Sequence, residues 1–229
     1  MSSEDPLRVG LVALFVTSLV VAQLTASKLL AFGLPVSLPV VGDSLVMPGS
    51  AVAYALTFFA SDSYAELYGR RAATVVVNVG FVMNFVLLGL VWSTILAPSL
   101  PAAAQPVDPE AFRSVLAAST GIVAASLAAY AVSQNWDVFV FHAIGEYTDG
   151  DHLWLRNIGS TASSQLLDTV IFITVGFVLV QGVPLSAAVS LIIGQYILKL
   201  LIAVLDTPFV YAIVRFARDR SESAAPAVQ

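Results

Sequence analysis

The sequence predicts an all-α integral membrane protein of six transmembrane helices, with a short β-hairpin between the first and the second. Three observations carry this. Of 229 residues, 58% are hydrophobic and only 11% are charged, against about 25% charged in a soluble domain. Six apolar runs approach or exceed the roughly 20 residues a helix needs to cross a hydrocarbon core. Arg and Lys also gather in alternate connections, as repeated crossing of a bilayer demands. No polar stretch is long enough for a separate soluble domain, so residues 1–229 read as one six-helix membrane domain.

The first run, 8–32, follows the acidic start MSSEDPLR. It is too long for a signal-peptide core and shows no small-residue cleavage site, so it reads as a retained span. The connector GLPVSLPVVGDSLVMPGS then places short apolar runs on either side of Gly42-Asp43, which is hairpin chemistry. It reads either as an external lid or plug or as a plain ordered loop. The second and third spans are 50–68 and 72–97, followed by the Pro-rich PSLPAAAQPVDPEAF. The fourth is 114–135, and Ala117, Gly121, Ala125 and Ala129 repeat on it every four residues. Such a stripe lets helix backbones approach, within the bundle or across a dimer. A polar loop holding GEYTDGDHLWLR leads to the fifth span, 157–180. The QGVP turn then leads to the sixth, 185–214.

Arg8, the Arg70-Arg71 pair, Arg156 and the C-terminal Arg215, Arg218 and Arg220 all fall on one side if six helices alternate. Lys28 and Arg113 fall on the other. The expectation is a multi-pass cell-membrane protein with both termini cytoplasmic. No internal match supports a three-plus-three repeat.

The informative residues are polar ones inside apolar runs, because a charge at the bilayer centre costs at least about 2.5–3.5 kcal/mol. Asp62 and Glu66 share one face of the second helix. Asn78 and Asn84 lie on the third, and Gln134 and Asp137 at the end of the fourth. Ser160, Ser164, Gln165 and Asp168 lie on the fifth; Gln195, Lys199 and Asp206 lie on the sixth. Such residues face a bundle interior or a wet cavity. Asp168 lies 14 residues before Gly182 and Lys199 lies 17 after it. That offset is about 4.5 Å of height, within a lysine's reach. A pair there is either a structural ion pair that fixes register or part of a substrate site, and its desolvation cost favours the site. Glu66, near Arg70-Arg71, is either a site residue or an interfacial ion-pair partner.

Several classes are excluded. With no Cys there are no disulfides, thiolate metal sites or cysteine nucleophiles. The formal charge of −5 and the absence of a basic patch leave nothing for nucleic acid to bind. His142 and His152 read as solvated residues in or near the polar loop, no spacing suits a metal, and no GxSxG is present. The expectation is therefore no enzyme, no cofactor and no metal.

Four blocks then stand in order: FFASDSYAELYGRRAA, AYAVSQNWDVFVF, RNIGSTASSQLLDTVIF and ILKLLIAVLDTPFVYAIV. Together they resemble the queuosine-precursor transporter family of the vitamin-uptake-transporter group, over all but the termini and the two Pro-rich connectors. The resemblance implies a six-helix importer of 7-cyano-7-deazaguanine or its aminomethyl relative, the precursors of queuosine and archaeosine. Asp62, Gln134, Asp137, Ser160, Thr161, Asp168 and Lys199 stand at matching motif positions. Arg156 and Asn157 match less closely.

The chemistry suits such a cargo. A guanine-like edge offers two N–H donors that one carboxylate accepts in a two-pronged contact. Its O6 acceptor wants a Lys, Gln or Asn donor. The substrate-binding candidates are Asp62, Glu66, Asn78, Gln134, Asp137, Gln165, Asp168 and Lys199. Asp168 or Asp62 would read the donor edge, and Lys199 or Gln165 the acceptor edge. Phe58, Phe59, Trp136 and Phe172 are candidate aromatic walls. The partners are then a purine-like small molecule and the lipid bilayer, with a homodimer or an energising subunit also compatible. The main reading is a secondary transporter. The alternatives are a substrate-capture subunit of an ATP-driven vitamin importer, docking through Ala22-x-x-x-Ala26, or an importer of another purine-like or vitamin-like molecule.

Overall fold

The computed structural model describes residues 5–38, 41–149 and 151–224. They form six long helices and one two-stranded sheet: α1 (Pro6–Thr25), β1 (Leu29–Leu38), β2 (Gly42–Pro48), α2 (Ala51–Tyr68), α3 (Arg70–Leu96), α4 (Pro109–Tyr147), α5 (Leu153–Ile173) and α6 (Leu185–Ala224). The protein is an all-α membrane protein. Among the described residues, five stretches are long and apolar enough to cross a bilayer: Pro6–Thr25, Arg70–Leu96, Pro109–Tyr147, Leu155–Leu179 and Leu185–Ala217. The remaining helix, α2, where the second span is expected, is not among them; it has 18 residues and is made more polar by Asp62 and Glu66.

The chain divides into two compact units. The first holds α1, α2, α3 and α6 from Leu198 onward. Here α1 packs on α2 and α3 around Leu11, Phe15, Ala60, Tyr64, Ala73 and Val76. Gly80 on α3 makes the approach possible, since a Cβ there would stand 2.6 Å from the Phe15 ring. The connection between α2 and α3 is one residue, Gly69, at φ 86 and ψ 155. That conformation is nearly closed to any residue with a Cβ. Arg8 at the foot of α1 donates to Tyr64 Oη at 2.8 Å, and Tyr68 donates to the Asp5 carboxylate. These contacts tie the start of α1 to the end of α2. Arg and Tyr at such a level suit a membrane–water boundary.

The second unit holds residues 26–48 and 98–197: the hairpin, α4, α5 and the first part of α6. Its core is Ala26, Ile122, Ala125, Ala129, Phe172, Ile173, Phe177, Ala188 and Leu191, with Val46 of β2 packed against it. The hairpin expected from Gly42-Asp43 is present, in antiparallel register from Leu29↔Pro48 to Gly33↔Ser44. Leu45 and Met47 are buried. Gly194 on α6 lies directly against the Val46 carbonyl, where a side chain would overlap the backbone. Strand β2 is thus seated against protein, while most of β1 is exposed.

α4 runs well past the expected 114–135. Asp108 caps it, accepting from Ala111 N–H at 2.8 Å, and Pro109 fills its first turn. Its 39 residues are roughly 58 Å long at 1.5 Å per residue. The expected polar loop shrinks to a turn through Asp149 and His152, both at positive φ. His142 therefore lies on the helix, its Nδ1 at 2.8 Å from the Val138 carbonyl. α5 starts at Leu153, ahead of the expected 157. It passes into a π-helical turn, Thr174–Leu179, and Gly182 at φ 71 then reverses the chain. α6 also exceeds its expected end at 214. The Arg218 and Arg220 side chains, counted in the C-terminal basic cluster, lie outside the described part.

Candidate functional site

The seam between α4 and α5 is built on a four-residue step taken in opposite directions on the two helices. Gly121 faces Val180, Ala125 faces Gly176, and Gly145 faces Arg156. The small-residue stripe seen in the sequence is therefore used inside the unit, with Ala125 and Ala129 fully buried. Two further steps of the seam are polar. Ser133 Oγ shares its one proton between the Tyr130 carbonyl of its own helix at 3.3 Å and Asp168 Oδ1 at 3.4 Å. Ser164 Oγ likewise shares its proton between the Thr161 carbonyl at 3.1 Å and Asp137 Oδ1 at 3.2 Å. Each helix gives a serine to the other helix's aspartate.

This reciprocity has an origin in the sequence. Residues 133–137 are SQNWD and 164–168 are SQLLD. Both fit S-Q-x-x-D, and the four-residue spacing puts Ser and Asp on one face of each helix. Two such helices, antiparallel and in register, must bring each Ser to the opposing Asp. The signal was a five-residue repeat, too short to stand out by itself.

The arrangement is polar where lipid-facing seams are apolar. Ser133, Ser160 and Ser164 are buried, and Asp137, Gln165 and Asp168 are half-buried. Gln134 keeps an exposed side chain. Trp136 Nε1 donates to Ser163 Oγ at 3.2 Å, which fixes an indole beside the seam. Phe172, a candidate aromatic wall, is instead part of the core, edge-on to Phe177 at 5.8 Å. Chemically, the seam presents two carboxylates, each facing a serine hydroxyl of the opposing helix, with an amide next to each serine. Carboxylates so placed accept from a ligand's N–H groups, and amides both donate and accept.

At one end of the seam the Arg156 guanidinium lies 4.3 Å from the centre of the Phe141 ring. A Cβ on Gly145 would come within 3.0 Å of its Cζ and Nε. The arginine is held between an aromatic face and a bare stretch of helix backbone.

The other candidates fall in the first unit. Asp62 and Glu66 are exposed one turn apart on α2. Asn78 is exposed on α3; Asn84, one and a half turns on, is the buried one, its Oδ1 without a donor among the described residues. Lys199 is half-buried. Asp168 belongs to the second unit and Lys199 to the first. Ala22 and Ala26, the candidate docking pair, are both buried, and Ala26 lies beyond the end of α1. Among the described residues no group of three or more His, Cys, Asp or Glu is placed to hold a metal.

The sequence model of a family described as putative vitamin uptake transporter matches residues 48–213. A curated protein of Bacillus subtilis (strain 168), named probable queuosine precursor transporter, is 33% identical over 166 residues. That match covers 70% of this chain and 69% of the relative. No solved structure matches the chain.

Proposed function

Because the chain belongs to the putative vitamin uptake transporter family, we propose that this membrane importer carries a queuosine or archaeosine precursor base, 7-cyano-7-deazaguanine or its aminomethyl relative. The Bacillus subtilis relative's name supports a cargo of this class. The observation that carries the reading is the reciprocal Ser–Asp seam. Asp168 faces Ser133, and Asp137 faces Ser164. A carboxylate pair set among buried serines is costly in a membrane without a use, and a guanine-like base supplies the N–H donors that such a pair accepts. Asp168 reads the donor edge, with Asp137 beside it on the seam. Gln165 and Gln134 offer amides to the acceptor edge. Asp62 is the alternative donor-edge reader, with Glu66, Asn78 and Lys199 as further polar candidates in the same unit. Transport is secondary, by alternating access, and both termini are cytoplasmic.

The test is uptake of labelled 7-cyano-7-deazaguanine by cells unable to make or import it, carrying the wild-type chain or its Asp168→Asn form. Uptake by wild type and its loss in a well-inserted mutant is the expected result. Equal uptake by both would move the site away from Asp168. No uptake by a well-inserted wild type would remove the cargo, or require a partner subunit. Uptake by the purified chain in liposomes separates a secondary transporter from a capture subunit.

A further inference from the structure

The first half of α6 turns one stripe toward the core of the second unit. Ala188 and Leu191 on that stripe are fully buried. The helical period puts position 195 next on the same stripe, four residues after Leu191. An apolar residue is expected there, and the chain has Gln195, which is 7% exposed. Its Oε1 is buried and accepts from no donor among the described residues. A buried amide oxygen without a donor is unfavourable, and an apolar side chain of similar volume would avoid the cost.

The residues on either side of Gln195 fix its place. Gly194, just before it, lies against the Val46 carbonyl of the hairpin. Tyr196, just after it, donates to the Ala162 carbonyl of α5 at 3.2 Å. The backbone at Gln195 is held between the hairpin on one side and the helix that carries Asp168 on the other. The backbone that carries the amide is fixed, and its buried acceptor is left for a donor that the fold itself does not supply.

We infer that Gln195 is a substrate-binding residue, its Oε1 accepting a hydrogen bond from an N–H of the transported ring beside strand β2. The inference rests on the proposed cargo for the identity of that ring. It adds a specificity element, because a site built around an unpaired acceptor rejects rings that lack the matching donor.

The experiment uses the purified full-length chain in lipid nanodiscs, as wild type, Gln195→Leu and Gln195→Met. Thermal unfolding is measured without ligand, and binding of 7-cyano-7-deazaguanine is measured by calorimetry. Both variants are expected to unfold about 2–6 °C higher than wild type, since they relieve an unpaired acceptor. Both are expected to bind the base roughly ten- to a hundredfold more weakly. Unchanged or lowered unfolding temperature, or unchanged binding, overturns the inference, for then Gln195 serves the fold. If wild type itself does not bind this base, the cargo reading falls. The sign of the stability change then decides on Gln195 separately: no stabilisation overturns its role, and stabilisation keeps it for a different N–H-bearing ring.

Discussion

Ser164 on α5 donates to the Asp137 carboxylate on α4 at 3.2 Å, and one helical turn away Ser133 returns the same bond from α4 to Asp168 at 3.4 Å. Both bonds are long for O–H···O, and each hydroxyl also has a carbonyl of its own helix as acceptor, Thr161 at 3.1 Å for Ser164 and Tyr130 at 3.3 Å for Ser133. Ser164→Ala is expected to cost somewhat more than Ser133→Ala, and both less than about 1 kcal/mol. Unfolding of the two variants in nanodiscs checks the order. Both are also expected to slow uptake, since each removes a hydroxyl that faces a carboxylate. A Ser133→Ala effect as large as that of Ser164→Ala would mean that the longer contact matters through packing.

Arg156 rests on the Phe141 ring with Gly145 beneath it. Gly145→Leu should push the guanidinium off the ring and destabilise the chain by roughly 1–3 kcal/mol, as overpacking does. Phe141→Leu removes the ring and should cost about 0.5–2 kcal/mol. Arg156→Lys should lose the stacking too, because an ammonium lacks the flat face that stacks. Combining Gly145→Leu with Phe141→Leu should cost less than the sum of the two, since both disturb one contact. Full additivity in unfolding measurements would show that the contact is not shared.

Gly194 offers a sharper test, because its neighbour is backbone. A methyl at this position overlaps the Val46 carbonyl, which cannot rotate away. Gly194→Ala is expected to destabilise by about 1–3 kcal/mol and to loosen the hairpin. Gly89, on α3, has nothing within 4 Å of where its Cβ would be. Gly89→Ala is the control, expected to be neutral or to stabilise by up to about 1 kcal/mol through helix propensity. Limited proteolysis within 29–48 reads the hairpin directly. Cleavage unchanged in Gly194→Ala would show that the strand tolerates the displacement.

Much of this architecture is legible in the sequence because a bilayer imposes simple demands. Length and apolarity mark the helices, and Gly42-Asp43 marks the hairpin. What the sequence conceals is phase and pairing. Asn78 and Asn84 look alike in the sequence, yet only Asn84 turns inward, and that choice belongs to the packing of α3 on its neighbours. The stretch from Gln134 to Tyr147 reads as the approach to a polar loop. It is helix because its seam positions Asp137, Phe141 and Gly145 meet partners on α5. The hairpin's turn chemistry is local and readable; its seat against Gly194 joins distant parts of the chain and is not.

Orientation is tested by the chain's own composition. With 0 Cys in the native sequence, any single introduced cysteine reports without background. By the positive-inside rule, Arg70, Arg71 and Arg156 predict the α4–α5 turn inside the cell and the α3–α4 connection outside. Asp151→Cys lies in that turn and Ala103→Cys in that connection, and both native residues are exposed. A membrane-impermeant maleimide applied to intact cells should label Ala103→Cys and leave Asp151→Cys unlabelled until the membrane is permeabilised. The contrast bears on the count of spans as well as on direction. Three helices precede Ala103 and four precede Asp151, so an N-terminus inside the cell gives this pattern only if α2 crosses despite Asp62 and Glu66. Were α2 to lie along the surface, an inside N-terminus would leave Ala103→Cys inside and Asp151→Cys outside. Labelling of Asp151→Cys alone in intact cells would therefore overturn either the predicted orientation or the second span, and a cysteine placed at Ser44, between α1 and α2, would tell the two apart.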